Sequence, residues 1–180
     1  MPTTIDGVDE FVAINNAGTA VGIQWPEPGN AVSEVYLSDL AREVAAQLGM
    51  ADRVHLAGFR RDVGDVLDAI DLFAVSSDRE GFANAMLEAM AFGIPVVSTD
   101  VSGAREALDA APGEPRAGIV TGFSEAELAE AIGGLIRDPD ARRRMGDAAR
   151  ARAERRFGEE RFLDEWERLL EDGVRARRGE

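Results

Sequence analysis

Two carboxylates eight residues apart, Glu80 and Glu88, dominate the stretch from Ser76 to Gly103. Gly81 follows the first, and a helical pattern begins near Asn84 and stops at Gly93. A strand ending at Ser76, a turn and a helix start put open backbone N–H groups at Phe82, Ala83 and Asn84, where the helix dipole favours an anion. Glu88 lies one turn inside that helix, where it can point the same way. Two carboxylates flanking an anion site suit a ligand with both hydroxyls and a diphosphate. A nucleotide sugar has both.

Each feature also has a plainer reading. Glu80 and Glu88 read equally as exposed helix-end carboxylates, Glu80 stabilising a positive helix start. Arg60 and Arg61 reach a base or phosphate, or lie along the surface. Arg79 either supplies a cation or pairs with Asp78 or Glu80. His55 reads as a strand residue packed near the sheet rather than as a base. Asp138-Pro139-Asp140 spells the Asp-x-Asp of metal-dependent sugar transferases, but its place before a helical run makes it an N-cap. The Arg-rich run from Arg142 to Arg156, interrupted by Asp147 and Glu154, reads as a solvated helix face rather than a membrane contact.

The elements that position these residues alternate. Ser38 opens a helix through Leu48, closed by Gly49. Arg53 to Gly58 reads as a short strand, Val63 to Ala69 as a helix, and Leu72 to Ser76 as a buried strand. Asn84 to Phe92 is helical, Pro95 to Thr99 a strand with Pro only at its first position, Ala104 to Leu108 a short helix and Gly118 to Thr121 a strand. Ser124-Glu125-Ala126-Glu127 is a capping box opening a helix to Ile136, and Asp138 with Pro139 starts the next, through about Phe157. The last helix runs from about Glu159 to Glu171, with Phe162, Trp166, Leu169 and Leu170 on one side, a core face by default. Apolar strands separated by helices predict an α/β fold: a Rossmann-like parallel sheet with helices on both faces. Ligands then bind outside the carboxyl ends of the strands. Residues 1–36 fit this pattern less well; Glu10 to Ile14 and Ala20 to Trp25 read as two short strands joined through turn residues, a hairpin.

Glu80-Gly81-Phe82 through Glu88-Ala89-Met90-Ala91, with Gly93-Ile94-Pro95-Val96-Val97, resembles the retaining glycosyltransferases of group 1 (family 4, two-domain GT-B fold). Val54 to Phe59 and Asp71 to Ser77 match the preceding strands and turns of that family. The resemblance covers the donor-binding half from about Leu37 to Asp172. It implies a donor domain over 37–180 preceded by an unmatched segment 1–36, an N-terminally truncated pattern. It also implies hexosyl transfer from a nucleoside-diphosphate sugar, without metal or other cofactor. Glu80, the catalytic-site carboxylate, contacts the donor sugar; Glu88 holds the ribose hydroxyls. The backbone at Gly81, Phe82, Ala83 and Asn84 meets sugar and diphosphate beside Ser76, and that near Phe59 and Arg60 holds the base. Ala83 stands where the family commonly has Gly. The Arg and Lys with which the family grips the diphosphate have no counterpart: the sequence has no Lys, and no Arg precedes Arg42. In a Rossmann-type order the segment carrying them supplies central strands, so the hairpin substitutes for it or the sheet is incomplete.

Two functions follow: a donor-binding half with little transfer of its own, completed by an acceptor-domain polypeptide, or a non-catalytic interaction module that keeps the fold and not the ligand. A C-terminal stripe left without the acceptor domain seeks a partner, which makes a homo-oligomer the other candidate assembly.

Composition bounds both. The 180 residues carry 34 acids against 20 basic residues, all Arg, for a formal charge of -14. That argues against sequence-independent nucleic-acid binding. High acidity without Lys fits a high-salt cytoplasm or a GC-rich genome. The charge is uneven, with 22 acids and seven Arg over 1–136 against 12 acids and 13 Arg over 137–180. Zero Cys excludes a disulfide framework and thiolate chemistry within these residues, and a single His argues against a His-rich metal site or a Ser-His-Asp triad. No apolar run reaches the roughly 20 residues of a membrane span and no leader pattern opens the chain, which points to the cytoplasm.

Overall fold

The computed structural model describes residues 10–14, 20–24, 42–57, 60–79, 84–110 and 113–178. In chain order the elements are β1 (Glu10–Ile14), β2 (Ala20–Gln24), α1 (42–47), β3 (Val54–Leu56), α2 (Val63–Asp68), β4 (Leu72–Val75) and α3 (Asn84–Ala91). They continue with β5 (Val96–Thr99), α4 (Ala104–Leu108), β6 (Gly118–Thr121), α5 (Glu125–Arg137), α6 (Pro139–Phe157) and α7 (Glu159–Arg178). Ser38, the expected cap of α1, lies outside the described residues.

Local chemistry sets most boundaries. The Ser124 hydroxyl accepts the Glu127 N–H at the start of α5, and the Asp138 carboxylate accepts the Ala141 N–H at the start of α6, contacts worth about 1 kcal/mol each. Gly93, at φ 75°, ends α3: its N–H bonds to Met90 O, and that of Ile94 to Ala89 O. This is the paired closure that only a left-handed residue permits.

Among the described residues one sheet forms, in the order β3-β2-β1-β4-β5-β6. β4, β5 and β6 are parallel, with Phe73 opposite Val96 and Val97 opposite Ile119. The expected hairpin is there, and it is part of the sheet. β1 pairs antiparallel with both β2 and β4, and β2 pairs parallel with β3. An antiparallel strand thus sits at the centre of an otherwise parallel arrangement, completing the hydrogen bonds that β4 would otherwise present as an open edge. The hairpin substitutes for central strands.

Side chains alternate across β4 and β5 and divide the core in two. Phe73, Val75 and Val96 pack on one face with Met86, Met90, Leu108 and Ala149, from α3, α4 and α6. Leu72 and Val97 pack on the other with Leu135 of α5. Helices therefore cover both faces, as a Rossmann-like domain requires.

Three sequence expectations change. The stripe on α7 is not core: Phe162, Trp166, Leu169 and Leu170 are all exposed, and α7 runs on to Arg178. The helical pattern was right, but the main packing partner of α7 among the described elements is α6. Secondly, the Arg-rich run is not wholly solvated. Arg152 is 1% exposed and donates to the carbonyls of Ala107, Asp109 and Pro115 and to the Glu114 carboxylate. It ties the 109–117 connection to α6, and the carbonyls compensate its lost hydration. Thirdly, His55 lies on β3 as expected but is exposed there, because β3 is an edge strand.

Candidate functional site

The strand directions fix which residues share an edge of the sheet. β3 runs with β2, β1 against it, and β4 with β3. The carboxyl ends of β3, β4, β5 and β6 therefore open on the same edge, the place where such sheets bind ligands. Ser76, Asp100 and Gly122 follow β4, β5 and β6 there. Arg60 follows β3 on that edge too, but β2 and β1 intervene. Three inter-strand steps of about 4.8 Å separate the ends of β3 and β4 by about 14 Å.

Hydroxyls brace the edge from below. Thr99 Oγ1 donates to the carbonyl of Ser77 at 2.6 Å, linking the end of β5 to the segment after β4. Thr121 Oγ1 donates to Gly122 O at 2.9 Å. Ser77, Thr99 and Thr121 are buried, whereas Asp78 and Arg79 are exposed above them. Beside these residues Arg105 holds Asp100 through two hydrogen bonds of 2.8 and 2.7 Å.

α3 projects its polar residues toward solvent. Ala85, Met86, Ala89 and Met90 are its buried side; Asn84 and Glu88, four residues apart, share the exposed side. Glu88 is accessible to solvent, yet the surrounding protein partly desolvates it and raises its carboxyl pKa above the ordinary value. It is the one raised carboxyl pKa among the described residues. Such a perturbed group beside a ligand edge is a functional candidate with a physical basis.

Of the residues expected from the sequence, Ser76 directly follows the carboxyl end of β4, and Asn84 and Glu88 lie on the exposed side of α3, the next helix. Arg60 lies on the same edge, but its guanidinium is engaged by Asp62 through a pair that leaves both side chains accessible. This matches the surface reading of its side chain. Phe59, Glu80, Gly81, Phe82 and Ala83 lie outside the described residues. Asp138 uses its carboxylate as a helix cap. No group of metal-ligating side chains occurs among the described residues, and no described helix is long and apolar enough to cross a membrane.

The support of α3 was not foreseen. Arg150 of α6 donates to Ala91 O at 3.2 Å and Phe92 O at 3.1 Å, capping the end of the helix that carries Glu88. Gly146 of α6 lies directly against the Gly93 carbonyl. The signal was available: Gly146, Ala149 and Ala153 recur at helical spacing, a small-residue face inside an Arg-rich run.

A depression of about 470 Å³ lies at the opposite edge, by the amino ends of β4 and β5, bounded by Asp71, Gly93, Pro95, Arg142 and Arg143. Its arginines serve the fold. Arg142 donates to Leu135 O and Ile136 O at the end of α5, and Arg143 pairs with Asp140.

The family of group 1 glycosyl transferases matches residues 37–152. The lipopolysaccharide core biosynthesis glycosyltransferase LpsE of Rhizobium meliloti is 32% identical over 133 residues, covering 73% of this chain and 38% of that protein. The D-inositol 3-phosphate glycosyltransferase of Nocardia farcinica is 39% identical over 118 residues, 64% of this chain and 25% of that protein. Among solved structures, HepE of Anabaena in complex with UDP superposes with a TM-score of 0.72 at 28% identity, covering 86% of this chain and 41% of that one. The chain thus spans 25% to 41% of the length of these relatives.

Proposed function

The chain belongs to the group 1 glycosyl transferases, with the Rossmann-like fold of the GT-B type, and on that premise we propose that it binds a nucleoside-diphosphate sugar at the carboxyl edge of its sheet. The observation that carries this reading is Glu88, an accessible carboxylate kept partly desolvated on the exposed side of α3, the helix that follows β4. A carboxylate in that setting accepts hydrogen bonds from the two ribose hydroxyls and gains more from them than a fully hydrated one, because part of its desolvation is already complete. HepE, solved with UDP, supports a nucleotide as the ligand class.

The remaining roles follow the same reading. The N-terminus of α3, with Phe82, Ala83 and Asn84, receives the diphosphate. Glu80 and the backbone at Gly81 hold sugar hydroxyls, and the backbone near Phe59 and Arg60 holds the base. Transfer is of the family 4 type, retaining and metal-free, and stabilisation of the departing nucleoside diphosphate falls to the helix dipole. These 180 residues act as the donor half in the cytoplasm, and transfer needs an acceptor-binding domain from another segment or polypeptide.

Isothermal titration with UDP-glucose and GDP-mannose, at low and high salt, tests this. Millimolar or tighter binding of one of them, lost in Glu88→Ala while the fold persists by circular dichroism, supports the donor half. No heat with either at any salt supports the alternative, an interaction module that no longer takes the ligand.

A further inference from the structure

The connection from β4 to α3 spans residues 76–83 and leads into the N-terminus of α3. Its first residues lie beyond the backbone ladder. The pairing of β4 with β5 ends at Val75 and Ser98, whereas that of β5 with β6 runs one step further, to Thr99 and Thr121. β5 therefore continues past the point where the chain after β4 leaves it. There a side chain takes over from the ladder. The Thr99 hydroxyl donates to Ser77 O at 2.6 Å, two residues beyond the last paired residue of β4, with Val75 O a longer second acceptor at 3.4 Å.

Thr99 differs in this from the hydroxyls beside it. Ser98 donates to Thr99 O and Thr121 to Gly122 O, in each case the carbonyl of the next residue. Thr99 reaches across 22 residues of sequence instead. Thr99 is 4% exposed and Ser77 5%, so a donor and acceptor parted here find no water to replace each other. Two Val already precede it in β5, and a third would be buried as well. What the hydroxyl adds is the segment it holds. Its own strand end is fixed in turn: Thr99 O accepts the Val101 N–H at 2.8 Å, and Arg105 grips Asp100 between them.

We propose that Thr99 is a positioning residue of the ligand edge, whose hydroxyl fixes the start of the β4–α3 connection, and so the approach to the α3 N-terminus, before a ligand arrives. Buried itself, it acts through Ser77. Its consequence for binding rests on the donor-site reading, in which this connection carries Glu80 and Gly81; its consequence for the free chain rests on the hydrogen bond alone. A binding segment held in place beforehand loses less freedom when the ligand arrives, so the bond is read out as affinity.

Two readouts test this. In the free chain, tryptic cleavage after Arg79, within the connection, is measured against cleavage after Arg116, in the 109–117 connection at the amino end of β6. For binding, titration uses whichever of UDP-glucose and GDP-mannose the wild-type chain takes. Thr99→Val keeps the shape and removes the donor; it raises the Arg79-to-Arg116 cleavage ratio about threefold or more and weakens binding about tenfold. Thr99→Ser keeps the hydroxyl and stays within about twofold of wild type in both. Leu135→Ala, a core truncation in α5, lowers the melting temperature and moves neither readout, which separates positioning from stability. Thr99→Ala repeats the effect of T99V and takes its place if that chain does not fold. A T99V chain that binds like wild type overturns the proposal, as does one with an unchanged cleavage ratio, a T99S chain that behaves like T99V, or Leu135→Ala that reproduces both effects. If the wild-type chain takes neither nucleotide, cleavage decides alone: a raised ratio in T99V keeps the hydroxyl in its role and sinks the donor-site reading, and an unchanged ratio overturns the proposal as well.

Discussion

Replacing Gly146 by Ala separates packing from helix propensity. In the interior of an exposed helix that change normally stabilises by about 1 kcal/mol, because Gly loses more backbone freedom on folding. Gly146 is buried in α6, and a Cβ there would overlap the Gly93 carbonyl oxygen, lie 3.2 Å from the Gly93 carbonyl carbon and 3.5 Å from Pro95 Cδ. The first two neighbours are backbone atoms of the tight turn that ends α3, so no side-chain rotation relieves the overlap. Overpacking costs about 1–3 kcal/mol in general, and a backbone-on-backbone overlap belongs at the upper end. Offsetting this by the propensity gain leaves a net loss of about 2 kcal/mol, or about 4–8 °C in melting temperature for a chain of this size. Relief must come from moving α6 off α3, which also displaces Glu88, so nucleotide affinity falls with stability. Thermal and urea unfolding of G146A measure the loss. Gly134→Ala is the control: nothing lies within 4 Å of its added methyl, and it gains about 0.5–1 kcal/mol. If G146A is as stable as wild type, the close α3–α6 crossing does not exist in solution and the reasoning fails.

Two further substitutions probe other parts of the account. Arg152→Ala strands the carbonyls of Ala107, Asp109 and Pro115 and costs about 3 kcal/mol, seen as a drop in the urea midpoint; an unchanged midpoint would show that Arg152 is hydrated rather than buried. Glu88→Gln gives a pH signature. Because desolvation raises the folded-state pKa, the folded chain holds the proton more tightly than the unfolded one. The carboxyl is neutral in both states at low pH and costs stability as pH rises through and above its ordinary range. E88Q is therefore more stable than wild type at neutral pH without ligand, the gap closing in acid, while it binds nucleotide more weakly. A melting-temperature series against pH checks both the sign and the window.

Much of this was legible in the residues because it is local. Ser124, Asp138, Gly49 and Gly93 act within four or five residues of themselves, and the elements they bound fall where the pattern put them. The apolar strands Leu72–Val75 and Val96–Thr99, with helices between, implied a two-faced sheet for the same reason. What the sequence left open depends on distant partners. Nothing local tells whether the Glu10–Gln24 hairpin stands apart or enters the sheet; that is set by the open edge of β4, about 50 residues away in sequence. Arg152 looks like its solvated neighbours until α4 and the 109–117 connection supply carbonyls around it. The α7 stripe reads as core from its period alone, and only the placement of α7 beyond the sheet shows that this chain does not cover it. For the site, the exposed side that Asn84 and Glu88 share on α3 was readable from helical spacing. The bracing by Thr99, Gly146 and Arg150 was not.

The central claim is that a nucleotide sits at the carboxyl edge of the sheet, on the exposed side of α3. Titration of the ¹⁵N-labelled chain with UDP, followed by amide chemical shifts, tests it directly. Saturable shifts at Ser76, Ser77, Asn84, Glu88 and Asp100, weakened in Glu88→Ala, are the predicted result. Shifts that gather instead at the opposite edge, around Asp71, Gly93 and Arg142, or no shifts at millimolar UDP, would contradict it.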